Sequence, residues 1–291
     1  MAADPARLPE AGRRAREAVA AAGGRVKEPR PLGPDAQDWF LDADAPLAEL
    51  RPHLRQALAG AEVDHALQPA AGRRKRLLMA DMDSTIIGCE CLDELADFAG
   101  VKAEVAAVTE RAMRGELAFE PALRERVARL AGLPLEAVRR TLDERVRLNP
   151  GARTLTATMA TWGTRAVLVS GGFESFTGPV SEMAGFHAHR ANRLLDDGAR
   201  LTGAVADPVL GREAKLAALQ EEAGALDLSL EDTLAVGDGA NDLAMIQAAG
   251  LGVAYRAKPV VAAAADAAVD GADLCALLYF QGVPRAEWAA G

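Results

Sequence analysis

RLLMADMDSTIIGCE, residues Arg76 to Glu90, begins with an unbroken apolar run, Leu77 to Ala80, and then meets two carboxylates one residue apart, Asp81 and Asp83. A short apolar run of this kind is what a strand shows when both of its faces are covered. A D-x-D after a strand is by itself compatible with a solvated turn, so its meaning depends on what other strand ends bring to it. Three further runs have the same character: RAVLVSGG (165–172), DTLAVGDG (232–239) and LGVAY (251–255). Helical patterns, REAKLAALQEEAG (212–224) and ANDLAMIQAAG (240–250), lie between and after them. This alternation predicts an α/β fold with a doubly wound parallel sheet, in which ligands bind beyond the carboxyl ends of the strands. DMDST, SGG and GDGAND all fall there.

The first two strands are too far apart for a simple crossover, and the residues between them, from CLDELADFAG through RVARLAGLPLEAVRRTL, carry helical periodicity broken at Gly115 and Pro134. A helical cap inserted at about residues 89–150, over the carboxyl end of the first strand, accounts for them. ANRLLDDGARLTGAV reads as a hairpin turning at Asp196-Asp197-Gly198. Residues 1–74 read as a separate small α+β unit, with strands near DWFLD and VDHAL, leaving 75–291 for the larger domain.

Composition narrows the partners. Half the residues are hydrophobic and 26% are charged, as in ordinary globular chains. The formal net charge of −9 argues against a nucleic-acid surface, which depends on clustered Lys and Arg. The one basic run, Arg73 to Arg76, reads as a solvated linker. No stretch approaches the roughly 18 uninterrupted apolar residues of a membrane span, and the first residues lack the apolar segment of a secretory leader, so a cytoplasmic protein without membrane partners is expected. Cys89, Cys91 and Cys275 are too few and too irregular for a disulfide framework or a zinc site. His187 and His189 read as core or surface imidazoles.

Four pieces converge on the strand ends: Asp81 and Asp83; Ser170 with Gly171 and Gly172; Lys215; and Asp238, Asn241 and Asp242. So many carboxylates repel one another unless a hard cation sits among them, and magnesium favours a few carboxylate oxygens with water and phosphate. Lys215, Ser170 and the glycine amides then offer charge and donors to phosphate oxygens. GxxxxGK[ST], GxGxxG and GxSxG are absent, so the inventory is that of phosphoryl transfer by another route.

On DMDST, VSGGF and VGDGAND, in that order, the chain resembles the haloacid dehalogenase superfamily and, within it, the phosphoserine phosphatases, from about Arg76 to about Leu278. The resemblance implies a Rossmannoid core and hydrolysis of O-phospho-L-serine to L-serine and phosphate, the last step of serine biosynthesis, with Mg2+ as cofactor. It makes Asp81 the nucleophile and Asp83 the general acid and base, with the metal held by Asp81, the backbone carbonyl of Asp83, and Asp238. Ser170, Gly171, Lys215 and Asn241 fall to phosphate binding and Asp242 to support. Glu90 matches the acid that reads the substrate ammonium, Arg126 the base that reads its carboxylate, and Met113 and Phe119 the apolar residues that shield the closed site. Pro121-Ala122 departs from the polar residues usual before LRxRV. The first 74 residues resemble the leading domain of longer members only in size and alternation; a degenerate ACT-like ligand-binding or dimerising fold is one reading, which puts a homodimer among the expected assemblies. Two rivals stand beside this: the same fold acting on another small phosphorylated amino acid or amino alcohol, and an amino-acid-sensing module whose phosphatase site is vestigial.

Overall fold

The structure, a computed structural model, describes residues 1–114 and 116–291, with the Met113 side chain outside the described atoms. At the amino-terminal end, helix α1 (Leu8–Ala21) is followed by four short strands, β1 (Arg25–Val26), β2 (Arg30–Gly33), β3 (Ala36–Asp38) and β4 (Leu41–Asp42), which pair antiparallel as β1 with β4 and β2 with β3. The strand read at DWFLD is therefore split between β3 and β4. Helix α2 (Leu47–Leu58) packs on α1 through Ala11, Leu58 and Ala61. Strand β5 (His65–Ala66) then leaves this unit to join the sheet described next.

Strand β6 (Leu77–Ala80) is buried along its whole length. Leu78 and Ala80 enter the core on one face while Leu77 and Met79 enter that on the other, the period-2 alternation of a strand covered on both sides. After it come the helices α3 (Cys91–Phe98), α4 (Lys102–Met113), α5 (Phe119–Ala128) and α6 (Leu135–Arg145). Helix α7 (Ala152–Ala160) returns the chain to β7 (Arg165–Phe173), α8 (Glu174–Ala184) and β8 (Ala188–Asn192). The hairpin β9 (Leu194–Asp196) and β10 (Leu201–Val205) turns through Gly198 at φ +91°, a left-handed value that suits glycine. The chain closes with α9 (Arg212–Ala225), β11 (Thr233–Gly237), α10 (Leu243–Ala248), β12 (Leu251–Tyr255), α11 (Pro259–Ala264), β13 (Ala267–Val269) and α12 (Ala276–Phe280).

Among the described residues seven strands form the central sheet, in the order β5-β13-β12-β11-β6-β7-β8, parallel except for β5. From β6 the chain winds outward through β7 and β8, and from β11 in the opposite direction through β12 and β13. The strand order thus reverses between β6 and β11, which is where a doubly wound sheet opens a crevice at its carboxyl edge.

The basic run corrects its sequence reading. Arg73 binds Asp38 at 2.8 Å and donates to the Phe280 carbonyl, at the end of α12, while Lys75 is buried and donates to the Glu231 carbonyl at 2.7 Å. Arg74 pairs with Glu287 at 2.5 Å. Long basic side chains bury their stems and cap carbonyls that would otherwise be orphaned, so this run is a fastening and not a solvated linker.

Candidate active site

Asp81 follows directly on β6, its N–H donating to the Val236 carbonyl of β11 at 2.9 Å. It is 5% exposed, and its Oδ1 accepts from Lys215 Nζ at 2.6 Å. The same ammonium donates to Asp242 Oδ1 at 2.5 Å. Lys215 sits in the first turn of α9 and is itself buried; burial alone would lower its pKa, but Asp81 and Asp242 outweigh this and hold it above the usual value. Burial, and then the charge of Asp242, push the Asp81 carboxyl well up, with Lys215 pulling the other way.

The chain bends sharply after Asp81. Ser84 has φ +57°, a left-handed conformation uncommon for a residue with a Cβ. The bend sends the two acids to different neighbours. Asp83 Oδ1 accepts from the Cys91 N–H at 2.9 Å and its Oδ2 from the Ser170 hydroxyl at 3.1 Å. Burial raises its pKa despite these hydrogen bonds. The Ser84 hydroxyl donates to Glu90 at 2.6 Å. Glu90 keeps much of its surface exposed, yet burial of its carboxyl and then the charge of Asp83 push its pKa up to about 7.

Ser170 lies within β7 and is buried, and Gly171-Gly172, read from the sequence as a turn, continue the strand with an irregular register; Ser170 Oγ also accepts from the Gly172 N–H at 2.8 Å. Of the two glycine amides read as phosphate donors, that of Gly172 is thus engaged by Ser170. Asp238 follows β11 and accepts from the Thr85 hydroxyl at 3.3 Å, while burial and the neighbouring Asp242 raise its pKa. Asp242, fully buried, also accepts from the Gly239 N–H at 3.0 Å. A Cβ on Gly239 would stand 2.2 Å from Asn241 Oδ1, so the glycine is what lets Asn241 fold back on this loop.

Among the described residues Asp81, Asp238 and Asp242 form a cluster whose carboxylate oxygens come within 4.8 Å of one another. Lys215 bonds two of these carboxylates, Asp81 and Asp242, and burial, followed by the charge of Asp242, drives the pKa values of Asp81 and Asp238 upward. The donor set is oxygen, suited to a hard divalent cation. Both Asp242 oxygens are already engaged, by Lys215 and Gly239, which leaves Asp81 and Asp238 as the better placed ligands. The Asp83 carboxylate lies outside this cluster, so any part it takes in holding a metal falls to its backbone carbonyl.

The remaining candidates stand on α4 and α5, between β6 and β7. Arg124 and Arg129 on α5 are ion-paired, with Asp207 and with Glu104, whereas Arg126 has no carboxylate within 4.0 Å among the described residues. Its Nε donates to the Ala122 carbonyl at 3.4 Å; burial lowers its pKa, against the charges of Asp93 and Glu90. Phe119, at the start of α5, keeps 36% of its surface exposed and lies over the glycines, where a Cβ on Gly171 would meet its ring at 3.3 Å and one on Gly211 at 3.6 Å. Met113 ends α4, and its side chain lies outside the described residues.

Several contributors carry no signal in the sequence. Thr85 orients Asp238, and the Cys91 backbone orients Asp83. Asn149 donates to the Thr85 and Ile87 carbonyls at 2.8 and 3.1 Å, tying the chain where it leaves the core for the helices to the chain where it returns. Asparagines in loops are too common for any of these roles to stand out before the fold is known. His187 accepts from the Ala166 N–H and His189 pairs with Thr177, both structural.

Comparison with known proteins agrees with this geometry. The family described as haloacid dehalogenase-like hydrolase matches residues 78–247. The chain is 45% identical over 240 residues to a phosphoserine phosphatase of Streptomyces coelicolor, covering 82% of this chain and 58% of that relative, so it spans less than two thirds of the relative's length. A structure of a phospho-aspartyl intermediate analogue of phosphoserine phosphatase superposes with a TM-score of 0.66 at 39% identity, over 71% of this chain and 98% of the other. A HAD family hydrolase from Salmonella enterica serovar Typhi superposes with a TM-score of 0.82 at 25% identity and covers 94% of both chains, a share that takes in most of residues 1–74. With its acids at the strand ends of a doubly wound sheet and these relatives, the chain belongs to the haloacid dehalogenase-like hydrolase family.

Proposed function

We propose that the chain is a magnesium-dependent phosphatase that hydrolyses O-phospho-L-serine to L-serine and phosphate, in the last step of serine biosynthesis and in the cytoplasm. The observation that carries this reading is the separation of the two acids. Asp81 lies in the carboxylate cluster with Lys215, while Asp83, two residues on, is turned to Ser170 and the Cys91 N–H with its pKa raised. That is the arrangement needed by a nucleophile and a proton donor that must not exchange roles.

Asp81 attacks phosphorus, and the bond from phosphorus to the serine oxygen breaks as Asp83 gives that oxygen its proton. Asp83, now ionised, takes a proton from water, whose oxygen attacks the aspartyl phosphate and releases phosphate and free Asp81. Lys215, Ser170, Asn241 and the Gly171 amide hold phosphate oxygens throughout. A magnesium ion would be held by Asp81, Asp238 and the Asp83 carbonyl, and when bound would neutralise phosphate charge. Glu90 and Arg126 read the ammonium and the carboxylate of the substrate, and Phe119 and Met113 exclude water. In this proposal residues 89–150 are a cap, and residues 1–74 a separate α+β unit of ACT-like kind on which a homodimer could form. Among the described residues no helix is long and apolar enough to cross a membrane.

The test is phosphate release, with and without magnesium, from phosphoserine, phosphothreonine, phosphohomoserine and phosphoethanolamine. Selective, magnesium-dependent turnover of phosphoserine is expected. Equal turnover of phosphoethanolamine would move the reading to an amino-alcohol phosphatase.

A further inference from the structure

Asn192 closes β8 and is 2% exposed. Its amide is spent on the backbone of two other segments. Nδ2 donates to the Gly171 carbonyl at 2.9 Å and to the Leu210 carbonyl at 3.3 Å, and Oδ1 accepts from the Leu210 N–H at 2.7 Å. The first segment is the irregular Gly171-Gly172 stretch of β7 just after Ser170. The second is the irregular stretch that runs through Gly211 into α9, which carries Lys215. Phe119 lies against both, near the positions where Gly171 and Gly211 would carry a Cβ.

We propose that Asn192 is a positioning residue: one buried amide fixes the Gly171-Gly172 stretch of β7 against the entry to α9, and so holds Ser170, Gly171 and Lys215 at the spacing a phosphate group requires. The inference rests on the phosphoryl-transfer reading of the site. The residue type follows from the contacts, which ask for two donors and one acceptor at short reach. Serine supplies only one donor, and aspartate, when ionised, none. Asn192 touches neither Asp81 nor Asp83, so its effect passes through the backbone it holds.

The test measures the affinity of the full-length chain for inorganic phosphate by calorimetry in the presence of magnesium, for wild type, Asn192→Ala and Asn192→Asp, with kcat and KM for phosphoserine beside it. Asn192→Ala is expected to weaken phosphate about tenfold or more, as the loss of a buried hydrogen-bonding group implies, and to raise KM more than it lowers kcat. Asn192→Asp preserves shape but sets a carboxylate against two carbonyls. It should bind phosphate more weakly than wild type near pH 8 and recover toward wild type near pH 5, where a protonated carboxyl can again donate. Phosphate affinity within about twofold of wild type in a folded Asn192→Ala chain would overturn the proposal. So would an Asn192→Asp chain whose affinity relative to wild type is the same at both pH values, and this variant decides alone if the alanine chain does not fold. Because phosphate binding is read without turnover, a wild type that binds phosphate but leaves phosphoserine intact would sink the substrate reading while the Asn192 comparison still stands.

Discussion

Glu90 carries a pKa pushed up to about 7 by burial and then by the charge of Asp83. Reading a substrate ammonium requires its ionised form, which predominates only above that value. For phosphoserine, kcat/KM should therefore rise with pH through about 7, since that ratio reports groups of the free enzyme. Glu90→Gln should flatten this limb and lower its plateau. A limb unchanged in Glu90→Gln would assign the titration to another group. At this scale the sequence shows residue types and spacing, and D-x-D, SGG and GDGAND already name the groups that meet. It does not show direction. Nothing in DMDST says that Ser84 adopts a positive φ or that Asp83 turns to Ser170 and Cys91 while Asp81 turns to Lys215, because those directions come from contacts with β7, α3 and α9.

The elements divide the work. Strand ends hold the clustered acids, and α5 carries Arg126 and Phe119, the latter lying over Gly171 and Gly211. Arg126, unlike Arg124 and Arg129, has no carboxylate within 4.0 Å among the described residues, and its proposed partner is the substrate carboxylate. Arg126→Ala should then cost roughly 2–5 kcal/mol in kcat/KM for phosphoserine, and much less for phosphoethanolamine, which lacks the carboxylate. Equal losses for the two substrates would give Arg126 a part in folding or phosphate binding instead. Packing is close at the end of β11, where a Cβ on Gly237 would lie 2.4 Å from Asp242 Cγ. Gly237→Ala must displace Asp242 and with it Lys215, so we expect a loss of about 1–3 kcal/mol in stability by urea unfolding, together with a marked fall in turnover. Stability unchanged in this variant would show that Asp242 has room to move. Elements long and periodic enough to bury a face, such as β6, β7 and α9, were legible from pattern; DWFLD was not legible as two pieces, since strands of two and three residues owe their register to neighbours more than to their own sequence.

Across the whole molecule, residues 1–74 are fastened to the rest by strand β5 at the edge of the sheet, by Arg51 with Asp266 at 2.5 Å, by Arg55 with the Ala263 carbonyl at 2.7 Å, and by Arg73 with the Phe280 carbonyl at 2.9 Å. The basic run misled because like charges in sequence are usually solvated, and only the fold brings Asp38 and the carbonyls of α12 to meet Arg73. Arg73→Ala leaves the largely buried Asp38, among the described residues, with Arg30 at 3.0 Å as its one remaining cation and should lower unfolding stability by about 3 kcal/mol, with kcat unchanged in the folded chain because the site lies at the other strand ends. A fall in kcat without a fall in stability would tie this fastening to the chemistry.

The central claim is that Asp81 is phosphorylated during turnover. The most direct measurement is peptide mass spectrometry of the enzyme acid-quenched while it hydrolyses phosphoserine. One phosphoryl group is expected on the peptide containing Asp81, and none on that peptide in Asp81→Asn, which should also lose turnover. A phosphoryl group found on Ser170 or elsewhere, or phosphoserine hydrolysis by Asp81→Asn at a rate near that of wild type, would contradict the account.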